Sequence, residues 1–422
     1  MSGAALLTQL FREKTSKLKD SSRHEEGQMS VGYSTGFLSF DFMNGCKVFG
    51  KRDDQRFQYY SLGVRDGSMI MVIGRSGCGK TTWIVQTASN IIKSFKTACI
   101  FHDDIEGGVN DTRRIELTKF VDGTIKDRYI YRNSGITGES FYERIKMIHD
   151  LKVENRSDFE YDTGLYDEYG ERIFKLEPTV YILDSLSMLM SETYADEDEL
   201  SGQMAATATA RMNASIFKRV IPLMKRANII LFVVNHINEK VELNQFARTK
   251  AAVSYLKAGE TLPGGKVPVY VSDNLIRFDD ASKLKPEEAF GIAGSLVEVS
   301  LIKSRVNRAG TSCTLVFDQM HGFDNELSSF ILLKQHGRIN GAGVGLYLAD
   351  RNDMKFSQKN FKKKMHDNPE LKELFENEVL DVLTSLIPDL EEVSWEEDYG
   401  YALTQSVLGK LNNMCMPNSS AT

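Results

Sequence analysis

The chain has 422 residues, 41% hydrophobic and 26% charged, an ordinary soluble globular composition with ample core. At roughly 150 residues per domain, the length reads as one large core with smaller flanking pieces. Acidic residues outnumber basic ones, 58 to 52, and the net charge of −6 argues against a protein that coats nucleic acid by bulk positive charge. A basic channel confined to one place stays open.

Residues 1–20 set Leu6, Leu7, Leu10, Phe11 and Leu18 at roughly helical spacing, and the polar stretch Asp20–Gln28 follows as a linker. A helix this short must dock its stripe on its own core or on a neighbouring subunit. The charged, tyrosine-rich stretch 47–66 reads as an insertion. Strands are then predicted at Met69–Ile73, Ala98–His102, Tyr129–Tyr131, Val180–Leu183 and Ile229–Val234, with helical patterns between them. That alternation predicts an α/β fold with a mostly parallel sheet covered on both faces. The later runs Leu275–Phe278, Leu296–Ile302 and Thr314–Phe317 follow one another without long helices, which predicts an antiparallel extension at one edge.

A second insertion, 153–177, is acidic and aromatic, and Gly164 and Gly170 mark turns, so a hairpin is predicted there. Beyond 350 the pattern is helical and charged, with Lys355, Lys359, Lys362, Lys363 and Lys364 followed by Glu391, Glu392, Glu396, Glu397 and Asp398. The organisation expected is 1–30 helix and linker, 31–348 core, and 349–422 a small C-terminal domain. The basic cluster either gathers duplex DNA or is a solvated helix face. Five scattered cysteines, Cys46, Cys78, Cys99, Cys313 and Cys415, form no CxxC pair and fit a reducing compartment. The N-terminus has no apolar leader, and the longest apolar runs are strand-length, so a cytoplasmic location without membrane insertion is expected.

Gly74-Arg75-Ser76-Gly77-Cys78-Gly79-Lys80-Thr81-Thr82 fits G-x-x-x-x-G-K-[ST], with an apolar strand before it and a helical pattern after it. Such a loop wraps a phosphate with its own N–H groups at a helix start. Lys80 would reach the β- and γ-phosphates, and the Thr81 hydroxyl would ligate Mg²⁺. Cys78 is either a reactive thiol or simply a side chain small enough for the loop. Asp184, ending the run Val180–Leu183, is the expected Mg²⁺ partner, because a buried strand-end carboxylate needs a cation opposite it. Asp103, Asp104 and Glu106 crowd the end of another strand, where one of them is expected to handle the attacking water or bind metal; a solvated acidic loop is the other reading.

Taken together, these motifs resemble the RecA family, and most closely the UvsX-type recombinases of tailed phages, over roughly 30–345. Ser34-Thr-Gly-Phe-Leu-Ser-Phe-Asp41 resembles the segment ahead of that family's phosphate loop, and Phe101–Glu106 its water-activating motif with one extra residue. Ala210-Arg-Met-Asn, Asn235-His236, Pro263-Gly-Gly-Lys, Val271-Ser-Asp-Asn and Ile302-Lys303-Ser-Arg305 carry the rest of the likeness.

The resemblance implies a RecA-like P-loop ATPase core, an N-terminal oligomerisation helix, and the cofactors ATP and Mg²⁺. It casts Glu106 as the water activator, with Asp104 as the alternative because of the extra residue. His236 becomes the γ-phosphate sensor; a buried histidine satisfied by backbone is the other reading. Lys303 and Arg305 become cations donated across a subunit interface; a solvated strand end is the other reading. Arg113 stands where the family often has an aromatic against adenine.

Candidate DNA loops are 191–210 and 237–266. The first ends at Arg211. The second carries Arg248, Lys250, Lys257 and Lys266 with Phe246, Tyr255 and a Gly264-Gly265 hinge, a mix suited to gripping single strands. The expected activity is DNA-dependent ATP hydrolysis in a helical homo-oligomeric filament on single-stranded DNA. That filament would exchange strands with double-stranded DNA, assisted by a single-strand-binding protein and a loading mediator. A hexameric ring helicase and an ATP-gated DNA-coating scaffold are the competing readings; few residues precede Ser34 to build a ring motor's collar.

Overall fold

The structure is a computed structural model that describes residues 30–52, 55–120, 127–167, 169–192, 202–239, 253, 255–287 and 290–387. The predicted N-terminal helix, the acidic cluster after Glu391, and Phe246, Arg248 and Lys250 lie outside the described residues.

A nine-stranded, mostly parallel sheet flanked by helices organises the chain. In chain order its first half comprises β1 (Met69–Gly74), α1 (Lys80–Lys93), β2 (Ile100–Asp104), α2 (Asp111–Thr118), β3 (Tyr129–Arg132), α3 (Gly138–Glu154) and β4 (Thr179–Asp184). Then follow α4 (Gly202–Ala227), β5 (Ile229–His236), α5 (Val267–Val271), β6 (Asn274–Leu284), β7 (Gly294–Ser304), β8 (Thr311–Asp318) and β9 (Gly322–Asp324). Helices α6 (Asn325–Gln335), α7 (Phe361–Asp367) and α8 (Pro369–Ser385) complete it. Across the sheet the order is β9-β8-β7-β6-β1-β5-β4-β2-β3. Strands β3 through β6 pair in parallel, and β6 to β9 form the antiparallel extension.

The central strands are apolar throughout because both faces are covered. Ile70, Val72, Ile182, Phe232 and Val234 pack with Trp83, Ile84 and Ala88 of α1 on one face. Met71, Ile73, Leu183, Leu231 and Val233 pack with Phe141 of α3 and Phe217 of α4 on the other. Trp83 anchors the first layer, its ring centroid 4.9 Å from Phe40 and 5.4 Å from Phe278. Each such fully buried side chain stabilises the fold by about 1.5–3 kcal/mol.

The predicted strand Ala98–His102 is displaced to Ile100–Asp104, because parallel pairing with β4 sets its register and carries it into the acidic cluster. The stretch 153–177 contains the expected hairpin, Glu160–Tyr166 against Arg172–Leu176, and the insertion at 47–66 is a hairpin as well. Lys51 N–H donates to Asp167 O at 2.7 Å, so the two insertions meet each other.

Helices α7 and α8 share a hydrophobic cluster with β8 and α6, through Phe361, Phe375 and Val379 against Val316, Phe330 and Leu333. Two lysines of the basic cluster are engaged there. Lys362 Nζ sits 2.5 Å from Asp324 Oδ2, and Lys359 Nζ donates to Glu287 O. Among the described residues no helix is long and apolar enough to cross a membrane.

Candidate functional site

Four parallel strands, β1, β5, β4 and β2, end at one edge of the sheet, and their last residues face one another. Register pairs Asp184 with Asp104 and His236 with Gly74. The glycine-rich loop leaves β1 at this edge and turns into α1, whose start is left-handed at Gly79 (φ 85°). A Cβ on Gly79 would meet the Phe323 ring at 2.9 Å, and one on Gly74 would meet Phe278 O at 2.6 Å. Gly77 is left-handed too (φ 81°) and Arg75, Ser76 and Gly77 are exposed, so loop N–H groups and the helix start are open to an anion.

Lys80 is buried and folds back onto the loop, donating to Arg75 O at 2.7 Å and Gly74 O at 3.0 Å, with His236 Nδ1 3.5 Å away. Thr81 Oγ1 donates to Asp184 Oδ2 at 2.5 Å, and Thr82, the third residue of α1, is half-buried. Arg75 pairs with Glu239. Cys78 is buried, its thiol donating to Arg75 O, and burial pushes it up from its ordinary value. That favours the small-side-chain reading over a reactive thiol.

Burial pushes the Asp184 carboxyl up to about 7; the Thr81 hydrogen bond pulls against this, and the nearby Glu106 and Asp104 add to it. Glu106 follows β2 and accepts from Ser185 Oγ at 2.5 Å, while His236 Nε2 lies 2.7 Å from the same oxygen. This contact is close without being a hydrogen bond. Ser185 holds Glu106 through a contact that nothing in the sequence signals beyond its place beside Asp184.

The other two carboxylates are already employed. Asp104 accepts from Gly107 N–H at 2.8 Å, Val109 N–H at 3.0 Å and Tyr131 OH at 2.8 Å, which ties down the loop carrying Glu106. Asp103 points to the opposite face, where Arg132, Arg144 and Tyr181 bind it. Of the three acidic candidates, Glu106 is the one that faces the loop, while the Asp104 carboxylate is engaged by backbone N–H groups and Tyr131.

Lys303 and Arg305 do not join this site. Lys303 Nζ donates to Val269 O, Tyr270 O and Ser272 O at 2.9, 2.8 and 2.6 Å, and Arg305 N–H to Asp273 O. Both lie beside the start of β6, toward the edge opposite the glycine-rich loop. Arg113 donates to Met320 O, at the turn next to Phe317 and Phe323, which flank Gly79.

Candidate loop 191–210 is corrected from Gly202 onward, where α4 begins; Arg211 is exposed on that helix. The Gly264-Gly265 hinge is a packed left-handed turn (φ 90° and 87°), since Cβ atoms there would sit 3.0 Å from Leu186 and 3.0 Å from Ala210. Lys257 is exposed with its amine 3.2 Å from Asp279, and Lys266 is exposed at the start of α5. Asn235, adjoining His236, donates to Pro263 O at 2.8 Å, and Asn213 donates to Gly264 O at 2.9 Å. The histidine strand is thus bonded directly to the glycine turn.

No protein-family model matches the chain, and no curated protein matches it either.

Proposed function

We propose that this chain is a RecA-like ATPase of the P-loop type, akin to the UvsX-type recombinases, that polymerises on single-stranded DNA and carries out homologous strand exchange. One observation carries the reading: Lys80, Thr81, Asp184, Glu106 and His236 converge from four strand ends on a single loop that presents N–H groups at a helix start. Lys80 and the loop N–H groups would hold the phosphates. Glu106, oriented by Ser185, would take up the attacking water's proton. His236, between Lys80 and Glu106, would sense the terminal phosphate and pass its presence to Pro263 and Gly264 through Asn235.

The donor set fits Mg²⁺, a hard cation: a hydroxyl and a carboxylate already in contact, next to a phosphate cradle. Thr81 and Asp184 would hold it, and it would neutralise phosphate charge. Phosphoryl transfer also needs a cation on the γ-phosphoryl oxygens. Lys303 and Arg305 face away from their own loop, which favours their donation from an adjacent copy and makes hydrolysis depend on the polymer.

Electron microscopy of the full chain with ATP and single-stranded DNA tests this. Helical filaments are expected; closed six-membered rings would identify a motor instead. A joint-molecule assay on homologous DNA separates exchange from coating, since a scaffold yields filaments without exchanged product.

A further inference from the structure

The β2 strand alternates sharply. Asp103 is satisfied by two arginines on one face, while His102 and Asp104 share the other face with Asp184. One ligand atom of each of His102, Asp104 and Asp184 lies within 4.8 Å of the others, and all three residues are buried. His102 has 0% exposure, its Nδ1 is 2.8 Å from Tyr129 OH, and its Nε2 has no partner. Asp184 Oδ1 is likewise enclosed without a partner, Oδ2 being taken by Thr81. The open Asp184 oxygen belongs equally to the Thr81–Asp184 pair, but the His102 nitrogen does not, and an unsatisfied imidazole nitrogen in a buried acidic cluster marks a missing ligand because enclosed polar groups are otherwise paired.

We propose that His102, Asp104 and Asp184 form a site for a divalent transition-metal ion beside the nucleotide's Mg²⁺, the two ions sharing Asp184. One imidazole with two carboxylates suits manganese, cobalt or zinc better than the all-oxygen preference of magnesium or calcium. The surroundings are those of a metal site. The Tyr129 hydroxyl on Nδ1 fixes the imidazole and leaves Nε2 for the ion, and three donors fix Asp104. Among the described residues neither Asp104 nor Asp184 forms an ion pair with lysine or arginine. The Arg114 guanidinium stacks 3.8 Å over the Tyr131 ring. An ion here would bind the start of the Glu106 loop to β4, and so set the position of Glu106 from behind.

The test is Mn²⁺ and Co²⁺ binding to the full chain without nucleotide. One equivalent of Mn²⁺ should bind with ¹⁴N coupling in pulsed electron paramagnetic resonance, and Co²⁺ should develop visible absorption that excess Mg²⁺ leaves in place. His102→Leu should weaken Co²⁺ binding at least about 100-fold, and Tyr129→Phe about 10-fold, the range expected when an outer-shell partner of a metal-bound histidine is lost.

Absence of ¹⁴N coupling, or stoichiometric displacement by Mg²⁺, overturns the proposal. So does coupling that survives His102→Leu but vanishes in His236→Leu, which would move the ion to Glu106, Asp184 and His236. If His102→Leu does not fold, the wild-type coupling, its fate in His236→Leu and the Tyr129→Phe titration still decide. Lys80→Ala should keep Co²⁺ binding while losing nucleotide, so failure of the ATPase reading is seen separately.

Discussion

His236 Nε2 lies 2.7 Å from Glu106 Oε1, although one ends β5 and the other follows β2, strands that are not neighbours; β4 and its Asp184 run between them. A group that contacts both the loop lysine and the proposed water-activating carboxylate stands where a γ-phosphate would separate or join them.

Glu106→Gln should leave nucleotide affinity within about threefold while lowering phosphate release by about 10²–10⁴, the span attributable to a general base. Filaments should then persist on DNA. Asp104→Asn should act differently, because its oxygens hold Gly107 and Val109 N–H groups. It should cost on the order of 1–3 kcal/mol in thermal melts and slow turnover less than Glu106→Gln. An unchanged melt with turnover as low as that of Glu106→Gln would return Asp104 to the catalytic role.

Lys80→Ala should bind no nucleotide, and Lys303→Ala should lose DNA-stimulated hydrolysis by about 10²–10³ at normal nucleotide affinity. Mixed together, the two variants should recover part of the activity, since one copy supplies the loop and the other the cation. Phosphate release that stays at the sum of the separate variants at every mixing ratio would show a site complete within one chain.

Gly264→Ala forces a side chain into φ 90° and against Leu186. Expected effects are a loss of about 1–3 kcal/mol and weaker affinity for single strands, measured by fluorescence anisotropy with an oligonucleotide. Normal binding by this variant would detach the turn from DNA recognition. Wild-type binding should also fall with salt, each phosphate contact adding about 0.7 to the slope of log affinity against log salt. A flat response would rule out contacts from Arg211, Lys257 and Lys266.

Lys152 is buried and donates to Glu177 O at 2.6 Å and Thr179 Oγ1 at 3.0 Å. Burial pulls its ammonium from 10.5 down to about 7, only partly offset by Glu177. The folded chain therefore holds this proton less tightly than the unfolded chain. Stability is lowest where both are protonated, below pH 7, and is regained as the pH climbs toward 10.5. Lys152→Met should melt higher than wild type at pH 7, with the gain shrinking by about pH 10. A difference that does not vary with pH would show that Lys152 titrates as an exposed lysine.

The amino-acid sequence by itself determined the glycine-lysine loop, the buried parallel strands, the antiparallel extension and the hairpin at 153–177. Each is written in contiguous residues: apolar runs of strand length, glycines at turns, a lysine and threonine at a helix start. Tertiary structure decided what converges. Strand order brings His236, Asp184 and Glu106 to one edge from three separate stretches of chain, and no local pattern encodes that order. It also turned Asp104 into a loop anchor, Gly264-Gly265 into a packed turn and Lys303 away from its own loop. Each outcome depends on which backbone N–H, side chain or carbonyl a distant segment delivers, and that is fixed only when the sheet closes over its two cores.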